Sequence, residues 1–238
     1  MEEVVLELTN QCVRKCLHCS TRANEGEEHN LDMDTIIFIM ETYKPKWVNI
    51  SGGEPCLRED LDDIIKIIKS YGAKVRLYTT QFYTGFQKID EICISIYSLD
   101  NTANHYITQT KYYPMHLLGR YTSICIDPTI HIVATTANIA EIPDLVAYLS
   151  SVLELPKIKI LKLVEQGRCL EHTDLVPTDK QLIALHKKLK SYDNVIFGLP
   201  FQHECTAGVE KIVVMSNGIV IPCESFKDGT CKCKKLII

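Results

Sequence analysis

Apolar positions along this chain follow two periods in turn. Short runs rich in β-branched residues occur at "VVLEL" (4–8), "WVNI" (47–50), "KVRLY" (74–78), "ICISIY" (92–97), "TIHIVA" (129–134) and "IKILKLV" (158–164), with the length and composition of buried strands. Between them the apolar residues recur at i, i+3, i+4, i+7: Met33, Ile36, Ile37 and Met40; Leu61, Ile64, Ile65 and Ile68; Ile142, Leu145, Val146 and Leu149. Each set forms one stripe of an amphipathic helix. Gly72 stands where the second helix should stop, and Thr178 with Gln181 predicts a capping box opening a helix around Leu182, Leu185 and Leu189.

Strands alternating with helices imply βαβ units and a parallel sheet. Six units fall short of a closed eight-unit barrel, leaving an open doubly wound sheet or a partial barrel. In either, the loops after the carboxyl ends of the strands gather on one face, where ligands bind. After residue 200 the pattern changes. "KIVVMS" and "IVIP" flank Asn217-Gly218, which predicts a hairpin whose two turn residues both take positive φ. Residues 199–238 therefore read as a small β-hairpin appendage to a core of residues 1–198.

Composition narrows the function classes. With 46% hydrophobic and 24% charged residues the 238-residue chain has the profile of a globular protein, and disorder is not suggested. A net charge of -4 argues against a broad nucleic-acid-binding surface. The opening "MEEVVLELTN" is acidic where a secretory signal is basic, and no apolar run approaches a membrane span, so a cytoplasmic protein without a membrane partner is expected. In that reducing compartment the eleven cysteines point to metal or redox chemistry rather than disulfides.

The cysteines cluster twice. "NQCVRKCLHCST" (10–21) sets Cys12, Cys16 and Cys19 in the loop after the first strand, spaced to turn three sulfurs around an iron-sulfur cluster. Zinc is the rival, but a closed zinc site takes four ligands, and His18, adjacent to Cys19, is poorly placed to be the fourth. A cluster held by three cysteines keeps one iron open to a small molecule. After the second strand "SGGEP" (51–55) supplies Gly52 and Gly53, which let backbone lie flat on a ligand or take positive φ, then Glu54 and Pro55. By itself a Gly-Gly turn before a solvated glutamate is common. In the second group, Cys205 and Cys223 flank the hairpin, and Cys231 and Cys233 follow; by spacing alone these four thiolates suit zinc or a second iron-sulfur cluster.

With both motifs in view, the chain resembles a radical S-adenosylmethionine (SAM) enzyme. Its CxxxCxxC signature is matched by Cys12, Cys16 and Cys19, its GGE motif by Gly52, Gly53 and Glu54, and the resemblance covers roughly residues 1–170. The resemblance implies a partial (β/α)6 TIM-type barrel. It implies a [4Fe-4S] cluster on the three cysteines, with the open iron chelated by the amine and carboxylate of SAM and Glu54 accepting hydrogen bonds from that amine. It also implies reductive cleavage to a 5′-deoxyadenosyl radical that abstracts a substrate hydrogen. His18 stands where many members place an aromatic residue against adenine. "ISIYSLD" resembles the family's fourth-strand segment, which puts Ser95 and Ser98 forward as cofactor contacts unless backbone satisfies them. Gln166 and Arg168 in "LVEQGR" are further candidates, the guanidinium suited to a carboxylate or else simply exposed.

The spacing Cys205, Gly218, Cys223 is similar to the opening of SPASM and shorter twitch extensions, which carry auxiliary four-iron clusters. The full SPASM cysteine set is absent and the Cys231-Lys232-Cys233 ending departs from the usual pattern, so one auxiliary [4Fe-4S] cluster on Cys205, Cys223, Cys231 and Cys233 is expected. The resemblance implies peptide or protein modification first and dehydrogenation or rearrangement of a small molecule second, with a reductant such as flavodoxin or ferredoxin. A non-catalytic electron carrier is the alternative from another class; Glu54 separates it, since a carrier needs no carboxylate opposite an open iron.

Overall fold

The computed structural model describes residues 1–154, 156–198, 206–227 and 229. In chain order its elements are β1 (Glu3–Glu7), α1 (Met33–Tyr43), β2 (Trp47–Ser51), α2 (Leu61–Ser70), β3 (Lys74–Thr79), β4 (Glu91–Ser95), α3 (Asn101–Thr108), α4 (Pro114–Thr122), β5 (Thr129–Ala134), α5 (Ile142–Val152), β6 (Ile158–Lys162), α6 (Asp179–Leu189), β7 (Val195–Phe197), β8 (Lys211–Val214) and β9 (Val220–Ile221). Two compact units divide them. The first comprises residues 1–15 and 21–93 with the described part of 206–229; the second comprises 16–20 and 94–198.

In the first unit β1 lies between β2 and β8, parallel to both, and β3 extends the sheet beyond β2. Strand alternation sends Val4 and Leu6, Val48 and Ile50, Val75 and Leu77, and Ile212 and Val214 to one face. There they pack in one core with Ile36, Ile39 and Met40 of α1 and Ile64, Ile65 and Ile68 of α2. The helices begin and end as the sequence dictates. Asp32 caps α1 by accepting from the Thr35 amide at 2.7 Å.

In the second unit β5, β6 and β7 run parallel. Helix α5 buries Ile142, Leu145, Val146 and Leu149, the stripe read from the sequence, and α6 carries both bonds of the Thr178–Gln181 capping box. Helices α3 and α4 were not signalled by an apolar stripe. Helix α3 buries Asn104 and Thr108 beside Ile107, and these polar side chains bond locally: Asn104 Oδ1 accepts the Tyr97 amide, and Thr108 Oγ1 donates to the Asn104 carbonyl. The connection from β3 to β4 holds only a 3-10 turn at Phe86–Lys88, with Tyr83 and Lys88 both bonded to Asp62.

The C-terminal hairpin differs in two respects from its sequence reading. Strand β8 is an integral strand of the first unit's sheet, parallel to β1 in the register Glu3↔Lys211 to Leu6↔Val214, and only β9 pairs with it antiparallel. The turn is also one residue longer. Met215 N donates to Ile219 O and Gly218 N to Met215 O, so Ser216, Asn217 and Gly218 form a three-residue loop in which Gly218 has positive φ and Asn217 does not. This is a type I turn closed by a left-handed residue, the usual three-residue solution. Among the described residues no helix is long and apolar enough to cross a membrane.

Candidate functional site

The first part of the cysteine loop is pinned within the first unit by one asparagine. Asn24 Oδ1 accepts the Cys12 amide at 2.7 Å, and its Nδ2 donates to the carbonyls of Cys12 (2.6 Å) and Arg14 (3.0 Å). The Arg14 amide points at Cys12 Sγ at 3.4 Å, the kind of contact that tunes a ligating sulfur. Nothing in the sequence marked Asn24.

The GGE segment fastens to the same loop. Gly53 N donates to Thr9 O and Glu54 N to Gln11 O, both at 2.7 Å. A Cβ on Gly53 would stand 1.9 Å from Gln11 O, and one on Gly52, whose φ is +120°, would stand 2.5 Å from Thr9 O. What these glycines lie flat against is the protein's own backbone at the start of the cysteine loop. Glu54 is 1% exposed and its carboxylate is well supplied with donors. Oε1 accepts from Thr79 Oγ1 (2.5 Å) and Cys56 N (3.2 Å), and Oε2 from Thr80 N (2.8 Å) and Thr80 Oγ1 (2.7 Å). Thr79 and Thr80, at the end of β3, were missed in sequence; two hydroxyls at the carboxyl end of the next strand were the available signal. Arg14 Nη2 donates to Thr80 O at 3.1 Å, joining this group to the cysteine loop. Pro55 is buried and opens a 3-10 turn. Burial, then the Glu54 charge, raises the Cys56 thiol to about 12, so it is an inert neighbour.

In the second unit the segment from Cys16 to Ser20 is held by the loop after β6. Arg168 N donates to Cys19 O and its Nη1 to Cys16 O, each at 2.8 Å. The guanidinium offered in sequence as a carboxylate binder thus serves a backbone carbonyl. Gly167, at φ +60°, lies so close that a Cβ would meet Cys19 O at 2.4 Å. Gln166 is 1% exposed. His18 faces Tyr97 edge-on with ring centroids 5.1 Å apart and Nε2 3.2 Å from the phenol oxygen, while its buried Nδ1 has no partner among the described residues. Burial, then the nearby Arg168 charge, lowers its pKa to about 4, leaving a neutral ring.

Of the two serines, Ser98 is committed to the fold: its hydroxyl donates to Glu141 Oε2 at 2.6 Å and accepts the Asp100 amide at 2.9 Å. Ser95 offers its carbonyl to Tyr112 Oη at 2.7 Å. Cys223 is buried, whereas Cys205, Cys231 and Cys233 lie outside the described residues. Among the described residues no three His, Cys, Asp or Glu side chains are gathered to hold a metal ion. The donor chemistry still suits iron and sulfur. Cys12, Cys16 and Cys19 are partly exposed, their loop is held by backbone and side-chain amide and guanidinium bonds, and His18, next to Cys19 in the chain, has a buried ring nitrogen without a partner among the described residues.

Comparison with known proteins bears on the fold and on the segment that carries the motifs. Residues 6–104 match the family model described as the Radical SAM superfamily. Over 114 residues the chain is 28% identical to a Methanocaldococcus jannaschii protein provisionally named a glycyl-radical enzyme activating enzyme, covering 45% of each. Over 83 residues it is 30% identical to a provisionally named GTP 3′,8-cyclase of Saccharolobus islandicus, covering 34% of this chain and 27% of that protein. The matches thus span less than half the length of these relatives. Streptococcus suis SuiB bound to SAM superimposes with a TM-score of 0.76 at 19% identity, covering 98% of this chain and 62% of SuiB. SuiB has also been solved with its precursor peptide SuiA. At such identity the likeness is one of fold, and it matches the α/β, parallel-strand architecture of the partial barrel.

Proposed function

We propose that this chain is a radical SAM enzyme that acts on a peptide or protein. The observation that carries the reading is the seating of the two motifs: the GGE backbone clamps Thr9–Gln11, immediately before Cys12, with Glu54 buried behind it. Cys12, Cys16 and Cys19 would hold the [4Fe-4S] cluster, which with SAM on its open iron supplies one-electron reduction and hydrogen abstraction. Glu54 would share its carboxylate between the threonine hydroxyls, which can rotate, and the cofactor ammonium. His18, neutral and with Nδ1 unspent, would offer a hydrogen-bonding edge to the adenine, while Arg168 fixes the backbone of Cys16 and Cys19.

The peptide reading is supported by the fold shared with SuiB, whose structure holds a precursor peptide. Transformation of a small molecule is the second reading, favoured by the sequence match to a protein named for cyclising GTP. Residues 199–238 would form a twitch-like extension with one auxiliary cluster on Cys205, Cys223, Cys231 and Cys233, and a flavodoxin or ferredoxin would supply electrons.

Anaerobic reconstitution with iron and sulfide should give about eight irons per chain. Zinc in place of iron at either cysteine set would remove that half of the proposal. Cys16→Ala should abolish reductive formation of 5′-deoxyadenosine while leaving the second cluster visible by electron paramagnetic resonance; continued production of 5′-deoxyadenosine would overturn the assignment.

A further inference from the structure

The two helices after β4 carry a charge opposite to that of the chain. Acidic residues outnumber basic ones in the whole sequence, 30 to 26, yet residues 101–126 hold no aspartate or glutamate between Asp100 and Asp127. Asp100 spends its carboxylate on capping α3, accepting the Thr102 amide at 2.9 Å. Within the stretch stand Lys111 and Arg120, with His105 and His116. Helix α4 buries Pro114, Leu117, Leu118 and Tyr121, which turns Tyr113, His116 and Arg120, at i, i+3 and i+7, onto one outward stripe. Tyr113 meets His105 of α3 edge-on with ring centroids 5.0 Å apart, so the outward sides of the two helices join in one surface. Exposed Lys111 lies on the connection between them. Tyr106 and Tyr113 are 49% and 48% exposed.

A cationic helix face is commonly just solvated. Two features set this one apart. Half-exposed phenols among cations have the composition of a docking surface, since tyrosine supplies contact area at small entropic cost and a field of one sign steers a partner of the other. The second feature is position: Leu17 N donates to Ile107 O at 2.9 Å, so the last turn of α3, next to Tyr106, is bonded to the segment between Cys16 and Cys19. An electron crosses packed protein, whereas a hydrogen atom is taken only in contact. A surface on the outward side of helices, one backbone bond from the cysteine segment, therefore suits an electron donor and not the substrate.

We propose that the outward face of α3, α4 and their connection docks a small acidic flavoprotein electron carrier. The proposal rests on the radical SAM reading, whose reductive cleavage consumes one electron. The reduced carrier gives up that single electron to the iron-sulfur site and departs oxidised by one, with no proton moved and no bond formed at the surface. The apolar edge of the flavin seats against the phenols, and carboxylates of the carrier meet Lys111 and Arg120 at the rim.

Binding of oxidised flavodoxin to the full-length, metal-free protein, measured by calorimetry, tests the surface without turnover. At about 0.15 M salt, where charges more than about 8 Å away are largely screened, K111E/R120E should weaken binding about tenfold and flatten its salt dependence. Tyr106→Ala, which trims an exposed side chain and keeps the test open should charge reversal perturb α4, should weaken it about fivefold. K187E/K188E makes the same change of charge on exposed lysines of α6 and should bind within about twofold of wild type. In reconstituted enzyme, formation of 5′-deoxyadenosine driven by flavodoxin should fall about tenfold in K111E/R120E, while that driven by dithionite, which needs no docking, stays within about twofold. Wild-type affinity in K111E/R120E, equal loss in K187E/K188E, or a ferredoxin or an acidic peptide taking this surface in place of flavodoxin would overturn the proposal. Absence of 5′-deoxyadenosine with dithionite in the wild type would instead remove the radical SAM reading, and calorimetry would still decide the surface.

Discussion

Gly53 has no room for a methyl group, because the atom a Cβ would strike is a backbone oxygen held in place by the Glu54 amide. Gly53→Ala should therefore cost about 3 kcal/mol, at the high end for overpacking, since neither side can rotate away. Urea denaturation of the metal-free protein reads that cost, and iron uptake should fall with it. Glu54→Gln differs in kind. Replacing one oxygen by an amide nitrogen strands donors from Thr79 or Thr80 and should cost about 2 kcal/mol. It should also weaken SAM binding while iron content holds, which calorimetry with SAM and an iron assay distinguish. In the second unit, Arg168→Gln removes a charge-assisted bond to the Cys16 carbonyl. Faster alkylation of Cys16, with that of Cys12 unchanged, is the expected outcome in metal-free protein.

At the scale of elements, periodicity told most where burial is apolar and one-sided. The stripes of α2 and α5 and the run of β5 needed no tertiary information, because each buries the residues its period selects, whereas α1 buries only Ile36 and Met40 of the residues selected, with Ile39 beside them in place of Ile37. Helix α3 was hidden because Asn104 and Thr108 are buried with hydrogen-bonding partners, a match that hydrophobicity does not encode. The site divides in the same way. The cysteine and GGE spacings were legible since the chemistry fixes residue type, but Asn24, Thr79 and Thr80 act through bonds formed across long sequence separations. Arg168 was visible as a residue while its partner, a carbonyl 152 positions away, was not. The capping box of α6 offers a control far from the cysteines in sequence: Thr178→Ala should lower stability by about 1 kcal/mol in a melting experiment and leave iron binding unaltered.

For the molecule as a whole, two carboxylates, Glu7 at the end of β1 and Glu224 after β9, each set a pH dependence of definite sign. Burial lifts the Glu7 carboxyl above its unfolded value, so the native protein binds the extra proton as pH falls. Stability linked to Glu7 is therefore fully present below pH 4.5 and lost as pH rises through the raised native pKa. Glu224 runs the other way: burial opposes its charge, but Lys211 prevails and holds the carboxyl low, so its contribution is present above pH 4.5 and fades on acidification through the lowered value. Comparing wild type with Glu7→Gln isolates the first effect. The melting-temperature advantage of wild type over the variant should shrink as pH rises from 4.5 toward neutrality, and an advantage that grows instead would reverse the assigned sign.

The pairing of Glu3 with Lys211 joins residues more than two hundred positions apart. A ribosome adding roughly 5 to 20 residues per second needs on the order of 10 to 40 s to travel that distance. Throughout that interval β1 has β2 on one side and, on the other, a row of unmet amides and carbonyls that any extended neighbour can engage. The strand that leads into the cysteine loop is thus an open edge until β8, some two hundred residues later in the chain, emerges to seal it. Its vulnerable period belongs to translation rather than to the finished molecule.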